Sequence, residues 1–295
     1  MVGRENLKVL VLGATGSIGS AVVGALLKRN HRVTGLARSA GAEQAIATKG
    51  AEVLRGDIRE PKLWIEAVRD FDAVAHCAIT WTDDMDAVDR NLTAHLLKAL
   101  STPDAGKSLV YTSGCWGYGA TGNLVATEKT PLVSFPEFDE HMALAEEVRM
   151  SKQLRGMVIH PAMVWDRDGG TLSHMIEDAR SRGQIRVVGT IHTRWTMVHA
   201  EDIVSLYALM IERGEAGSVY NGSGTEGIEV YKVAETLAAR FGNAQPPELI
   251  TEEEAEDFIG SWASGYALDQ QMSSAKAMHE LGWQPKFADV LAAIS

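Results

Sequence analysis

Apolar residues in this chain fall into short runs, separated by longer stretches in which they recur with helical spacing. Runs at Lys8 to Leu12, Arg32 to Ala37, Glu52 to Leu54, Ala73 to Cys77, Leu109 to Thr112 and Met157 to Ile159 read as buried strands. Between the first two, Ile18, Val22, Ala25, Leu26 and Arg29 keep a helical period in which only the last is polar. Strand alternating with helix predicts an α/β fold: a doubly wound parallel sheet of the Rossmann type, covered by helices on both faces.

After about Pro161 the alternation loosens. Asp166-Arg167-Asp168-Gly169-Gly170 reads as a loop leading into a helix that starts near Thr171. Thr251 and Glu254 have capping-box spacing for a helix through Ala255 and Phe258, whose acidic cluster Glu252 to Glu256 reads as a solvated face. A last helix from about Ser274 stops at Gly282. The expected organisation is a dinucleotide-binding domain over 1–165, rejoined by about 197–225, with 166–295 mainly a smaller C-terminal substrate-binding region.

Composition narrows the function classes. With 295 residues, 45% of them hydrophobic, the chain can build one large α/β domain or a domain with a smaller companion, which excludes a disordered or fibrous protein. Its 28 basic and 39 acidic residues give a net charge of −11 without any Lys/Arg run, which argues against nucleic acid as a partner. Cys77 and Cys115 are the only cysteines, too few for a disulfide framework, so a reducing compartment is expected. The apolar run Val9 to Leu12 is far shorter than the ~20 residues of a membrane span and lacks signal-peptide order. A soluble cytoplasmic protein with no membrane partner is expected; a homodimer stays open.

Gly13-Ala14-Thr15-Gly16-Ser17-Ile18-Gly19 follows the first strand and opens the first helix. Gly13 permits the tight turn, Gly16 lets the backbone approach a pyrophosphate, and Gly19 lets helix and strand pack, while the helix N-terminus offers N–H groups and partial positive charge. At the end of the second strand, Gly35-Leu36-Ala37-Arg38-Ser39 lacks the carboxylate that would bond the ribose hydroxyls of NAD. Arg38 can pair with a 2′-phosphate and Ser39 can add a bond, so NADP(H) is the expected cofactor.

These residues resemble the extended short-chain dehydrogenase/reductase superfamily, the group of NAD-dependent epimerases and dehydratases and of dihydroflavonol-type reductases. The resemblance spans nearly the whole chain. Besides the glycine loop it is carried by Gly56-Asp57-Ile58, His76-Cys77-Ala78, Asn91, Val110-Tyr111-Thr112-Ser113, Pro161-Ala162-Met163-Val164, Val198-His199-Ala200-Glu201-Asp202 and Leu281-Gly282-Trp283-Gln284-Pro285. It implies that Thr15, Ser17 and Ile18 belong to the cofactor loop and that Asp57 and Ile58 face the adenine. It likewise places Cys77, Ala78 and Ile79 along the cofactor bridge, with Pro161, Met163 and Val164 against the nicotinamide.

Reductases of that family protonate the substrate oxygen with a Tyr whose pKa is lowered by a Lys four residues later. None of the tyrosines at 111, 118, 207, 220, 231 and 266 has Lys at that spacing. Matching Ala145-Glu146-Glu147-Val148-Arg149 to the stretch after the motif puts Phe138 in the Tyr place and Met142 in the Lys place, and neither can transfer a proton. His141 has the nearest useful spacing and a suitable unperturbed pKa, with a solvent-facing histidine on an acidic helix as the alternative. Ser113 is the candidate oxygen-binding hydroxyl, with Gly114 where a second hydroxyl is often found. Tyr118 in Trp116-Gly117-Tyr118-Gly119 is the candidate phenol, or else packs beneath the pocket.

Trp81, Trp116, Trp165 and Trp195, with Cys115 beside Trp116, are expected to face an apolar or aromatic small-molecule substrate. Arg194 keeps a nucleotide sugar open. No metal-ligand spacing, hydrolase elbow or nucleoside-triphosphate loop occurs. The expected function is an NADP(H)-dependent oxidoreductase acting on a carbonyl or alcohol of a small molecule. The alternatives are a non-redox isomerase, lyase or cyclase on the same scaffold, and an NADP-sensing regulator without chemistry.

Overall fold

The structure, a computed structural model, describes residues 4–103 and 106–295. Strands β1 (Lys8–Leu12), β2 (Arg32–Ala37), β3 (Glu52–Arg55), β4 (Ala73–His76), β5 (Ser108–Thr112) and β6 (Arg155–Pro161) alternate with helices α1 (Ser17–Lys28), α2 (Ala40–Thr48), α3 (Met85–Leu100) and α4 (Pro136–Met150). Between β3 and β4 a full helix is replaced by two short 3₁₀ turns, Pro61–Leu63 and Ile65–Asp70. Then follow β7 (Met163–Asp166), β8 (Gly169–Gly170), α5 (Ser173–Ser181), β9 (Arg186–Val188), β10 (Arg194–His199) and α6 (Ala200–Arg213). The chain ends with β11 (Val219–Gly222), β12 (Thr225–Glu229), α7 (Val230–Phe241), β13 (Glu248–Ile250), α8 (Glu252–Ile259), α9 (Ala263–Ala267), α10 (Ala275–Leu281) and α11 (Val290–Ile294).

The main sheet has seven strands in the order β11-β6-β5-β4-β1-β2-β3, and each neighbouring pair is parallel. The order reverses between β1 and β4, which opens a crevice at the carboxyl ends of those strands. Two-residue side-chain alternation divides β1 between the two cores: Val9 and Val11 pack with α1 and α6, and Leu10 and Leu12 with α3 and α4. Residues after β6 build a four-stranded sheet, β12-β10-β7-β8, and a β13-β9 pair, while β11 returns to the edge of the main sheet beside β6. Among the described residues no helix is long and apolar enough to cross a membrane.

Several local expectations hold in detail. Thr251 Oγ1 accepts from the Glu254 N–H at 3.2 Å while the Thr251 N–H donates to Glu254 Oε2 at 2.8 Å. Gly282 takes φ 68° at the end of α10. The expected loop at 166–170 is instead a tight hairpin in which Trp165 pairs with Gly170 and Asp166 with Gly169. Asp166 Oδ1 accepts from the Asp168 N–H at 2.9 Å and Gly170 takes φ 67°, so the loop residues close the turn themselves. The following helix then starts at Ser173, two residues beyond the position predicted from the sequence.

Two polar nodes tie this architecture together. In the first turn of α6, the buried Asp202 carboxylate accepts from the Lys286 and Phe287 N–H groups at 2.9 Å, and its carbonyl accepts from Trp283 Nε1 at 3.1 Å. The C-terminal tail is thereby pinned to α6. The second node is Asp89 of α3, buried with Thr93 beneath the sheet. Its Oδ1 lies 2.8 Å from His76 Nε2, and its Oδ2 accepts from Tyr111 Oη at 2.5 Å and lies 3.3 Å from His141 Nδ1. Burial alone would raise the Asp89 carboxyl, but the charge and hydrogen bonds of His76 and His141 outweigh it and hold the group far below the usual carboxylate range.

Because the Asp202 bonds reach a charged acceptor, Asp202→Ala is expected to destabilise the protein by about 3 kcal/mol in urea denaturation. Asp89→Asn is expected to cost about as much at neutral pH. The folded-state pKa of Asp89 is depressed, so its contribution is complete above the unfolded value of about 3.9 and disappears as pH falls through the folded value. The stability gap between wild type and Asp89→Asn should therefore be full at pH 7 and narrow below pH ~4, checked by denaturation at both ends of that range.

Candidate functional site

The crevice between β1 and β4 is a cleft of about 820 Å³. Its floor is the β1–α1 turn. Gly13 has φ 75°, and a Cβ there would lie 2.6 Å from the Cys77 carbonyl; one at Gly19 would lie 2.2 Å from the Gly13 carbonyl. Side chains are excluded at both positions. At Gly16 the nearest atom to such a Cβ is 3.4 Å away, so this glycine faces room that a ligand can use. Gly16 caps α1 without a side-chain hydrogen bond, and no acidic residue lies in the helix's first turn. The positive end of α1 therefore points at the cleft uncompensated, suited to an anionic group.

Twelve residues expected at a cofactor line this one cleft: Gly13, Thr15, Gly16, Ser17 and Ile18 on the turn, Arg38 and Ser39 after β2, Asp57 and Ile58 after β3, and Cys77, Ala78 and Ile79 after β4. Arg38 is exposed and has no ion pair or hydrogen bond among the described residues. Ser39 Oγ accepts from the Ala42 N–H at 3.2 Å and so caps α2. Burial pushes the Cys77 thiol up to about 12, which keeps it a neutral wall. Pro161, Met163 and Val164 lie at the β6–β7 junction and do not line the cleft. Arg59, Thr80, Trp81 and Thr82 do line it. Sequence reasoning passed over Arg59, although it follows directly on Gly56-Asp57-Ile58; its guanidinium pairs with Asp84 and donates to Thr82 Oγ1 at 3.0 Å.

Beyond the cleft, at the carboxyl end of β5, Ser113 is buried with its Oγ 3.7 Å from Met142 Sδ. A Cβ on Gly114 would lie 3.1 Å from the Phe138 ring. Phe138 and Met142, one turn apart on α4, thus both face this strand end. Tyr118 is directed elsewhere. Its hydroxyl donates to Asn221 Oδ1 at 2.8 Å, its ring packs edge-on against His160, and it lines a second cavity of about 730 Å³ between α4, β6, β11 and α10. Burial raises the Tyr118 phenol above its usual value and pushes His160 down to about 4.

His141 is buried rather than solvent-facing. Its Nδ1 is 3.1 Å from Tyr111 Oη, and its Nε2 is 2.9 Å from the Thr112 carbonyl, so both ring nitrogens are engaged within the Asp89 network. The Tyr111 phenol is raised well above normal by burial and by the neighbouring Asp89 charge.

The tryptophans expected at a substrate divide into two groups. Trp81 is 64% exposed at the cleft mouth and meets Trp262 edge-on at 5.0 Å; Trp262 stacks on Trp116 at 5.8 Å. Trp116 also contacts Phe135, Phe138 and Tyr266, and its Nε1 is buried without a partner. A wall of rings thus runs from the cleft mouth to the β5 end. Trp262, Phe135 and Tyr266 were not apparent from the sequence, because they come from segments distant along the chain with no shared spacing. Trp195 is buried behind this wall, donating from Nε1 to the Tyr266 carbonyl at 3.0 Å. Trp165 is buried against His199. Cys115 is buried too, its thiol pushed up to about 12 by burial and its carbonyl accepting from Gln270 Nε2 at 2.9 Å. Arg194 is held by Asp269 at 2.7 Å and donates to the Gly122 carbonyl at 2.9 Å, so its guanidinium is committed within the fold.

Comparison with known proteins agrees with this geometry. Residues 9–222 match the model of the NAD dependent epimerase/dehydratase family. An uncharacterized Saccharomyces cerevisiae protein is 28% identical over 291 residues, covering 95% of each chain. A Streptomyces protein named 3-diazoavenalumate denitrifying reductase is 28% identical over 306 residues, covering 95% of this chain and 96% of its own. In fold, the chain is similar to human epimerase family protein SDR39U1, solved with NADPH, at TM-score 0.79 and 21% identity over 98% of both chains. With a glycine-floored cleft at the sheet's switch point and a family match over most of its length, the chain belongs to the NAD dependent epimerase/dehydratase family, a group of NAD(P)-binding proteins of Rossmann fold.

Proposed function

We propose that this protein is an NADP(H)-dependent reductase or dehydrogenase of a small, apolar or aromatic molecule. The observation that carries the reading is the continuity of one surface: a glycine-floored cleft with an unpaired Arg38 at one end leads to a wall of aromatic rings at the other. When bound, the dinucleotide supplies a hydride or a hydride acceptor. The residues of this chain do the rest. The α1 N-terminus takes the pyrophosphate, Arg38 takes the 2′-phosphate, and Ser113 offers a hydroxyl to the substrate oxygen. Residues 1–165, with the returning segment near 197–225, form the cofactor side, and those after 166 mainly the substrate side.

The Streptomyces protein named as a reductase supports the reaction class, and the choice of NADP(H) rests on the unpaired Arg38. Tyr118 and His141, whose polar atoms are engaged by buried partners, serve to position the β5 end rather than to transfer protons.

Arg38→Ala is expected to weaken NADPH binding about tenfold to a hundredfold while leaving NADH nearly unchanged, the effect of losing one charge-assisted contact. Titration of both cofactors against wild type and variant checks this, and an unaltered preference removes Arg38 from the account. A second measurement addresses the reaction class. Product formation should match NADPH consumption one for one across a panel of aryl ketones, aldehydes and imines, and Ser113→Ala should lower turnover of the oxygen substrates by about 10- to 1,000-fold with cofactor affinity preserved. Product without NADPH consumption would identify a non-redox enzyme, and binding without turnover a sensor.

A further inference from the structure

The end of β5 carries no group able to give up a proton, and the reason is visible residue by residue. Ser113 Oγ faces the Met142 thioether, and Gly114 faces the Phe138 ring. The surrounding hydroxyls and the His141 imidazole are bonded to buried partners: Tyr118 to Asn221, Tyr111 to Asp89, Thr112 to Tyr207, and His141 to Asp89, Tyr111 and Thr112. The second imidazole, His160 beside Gly114, has no partner at Nδ1, but burial pushes it down to about 4, so it holds no spare proton near neutral pH. The neighbouring wall is purely aromatic. Trp81, Trp116, Trp262, Phe135, Phe138 and Tyr266 are linked by ring contacts of 5.0 to 6.4 Å. Among the described residues no lysine or arginine lies over any of those rings; the cation–π contacts present involve Phe241, Phe258 and Tyr220.

A neutral carbonyl makes two demands on a reductase: a hydride at carbon and a proton, or strong stabilisation, at the developing alkoxide. A cationic acceptor makes only the first. It is also attracted by the negative faces of aromatic rings, most strongly when water is excluded. It would be repelled by an ammonium group at the Met142 position. The phenyl ring of Phe138, the thioether of Met142 and a ring wall over which no lysine or arginine lies are each favourable to a cation and unfavourable to a substrate that needs an acid; His141, which touches the Phe138 ring, has its Nδ1 turned to the Asp89 carboxylate.

Resting on the reductase reading above, we propose that the substrate of this site is an aromatic molecule whose reacting carbon is already positively charged, an aryl iminium ion. The iminium carbon accepts a hydride, forming one C–H bond. The C=N π pair moves onto nitrogen, giving a neutral amine, tertiary where the nitrogen carries two carbon substituents besides the reacting carbon, as NADPH is oxidised to NADP⁺. No proton is transferred, so charge and atoms balance without an acid from the protein.

Two measurements on the full-length protein test this. The first is equilibrium binding, read by tryptophan fluorescence, of benzyltrimethylammonium and its uncharged isostere neopentylbenzene. The cation is expected to bind at least tenfold more tightly. Met142→Lys should abolish that preference, and Met142→Leu, which keeps the volume and neutrality, should retain it. Equal affinities, or a preference that survives Met142→Lys in a variant with wild-type circular dichroism, overturn the proposal.

The second compares NADPH consumption with N-methyl-3,4-dihydroisoquinolinium and with 1-tetralone, which have the same bicyclic skeleton. The iminium is expected to show at least a hundredfold higher kcat/KM. Comparable reduction of the ketone overturns the iminium assignment and leaves the reductase reading standing. Absence of NADPH consumption with either compound, while NADPH itself binds, overturns both.

Discussion

One buried carboxylate fixes the geometry on which the site depends. Asp89 reaches from α3 to His76 on β4, to Tyr111 on β5 and to His141 on α4, so a single charge holds four elements in register. An unpaired carboxylate at this depth would cost several kcal/mol, and that penalty is avoided only if all of these elements are in place. The consequence for function is directional. With His141 turned inward to Asp89 and Thr112, the same helix presents Phe138 and Met142 to the strand end beside Ser113 and Gly114. The apolar character of that strand end follows from how α4 is anchored.

The cleft is built by the opposite device, an absence of side chains. Gly13 and Gly19 bring the β1–α1 turn against the end of β4 so closely that a Cβ at either position would collide with backbone. The turn then holds the N-terminus of α1 open toward the crevice, without a carboxylate to neutralise it. Arg38 stands exposed and unpaired a short way along, whereas Arg59 and Arg194 are committed to Asp84 and Asp269. An unpaired guanidinium at the mouth of this cleft is the feature on which the proposed preference for NADP(H) over NAD(H) rests.

Much of this was legible in the sequence because it is local. Six of the seven strands of the main sheet, the glycine turn, the Thr251–Glu254 cap and the stop at Gly282 each depend on residues within a few positions of one another, whereas the edge strand β11 was not read from the sequence. The twelve residues expected at a cofactor come from four short segments at successive strand ends, and they line one cavity. What could not be read is what only tertiary contact decides. His141 lies among Glu137, Asp139 and Glu140, the pattern of an exposed face, yet a buried Asp89 about fifty positions earlier in the chain captures it. Tyr118 is drawn to Asn221 by a bond across the β6–β11 edge. The ring wall joins Trp81, Trp116, Phe135 and Trp262 from segments with no common period, while Trp165, whose sequence context is as suggestive, is packed inside.

The central claim is that the protein moves a hydride between NADP(H) and a small molecule held against the ring wall. The most direct test is isotope transfer: reaction with NADPH deuterated at either face of nicotinamide C4, followed by mass analysis of the product. Deuterium in the product from one of the two labelled cofactors, at one atom per NADPH consumed, is the predicted result. Product that carries no deuterium from either would contradict the account.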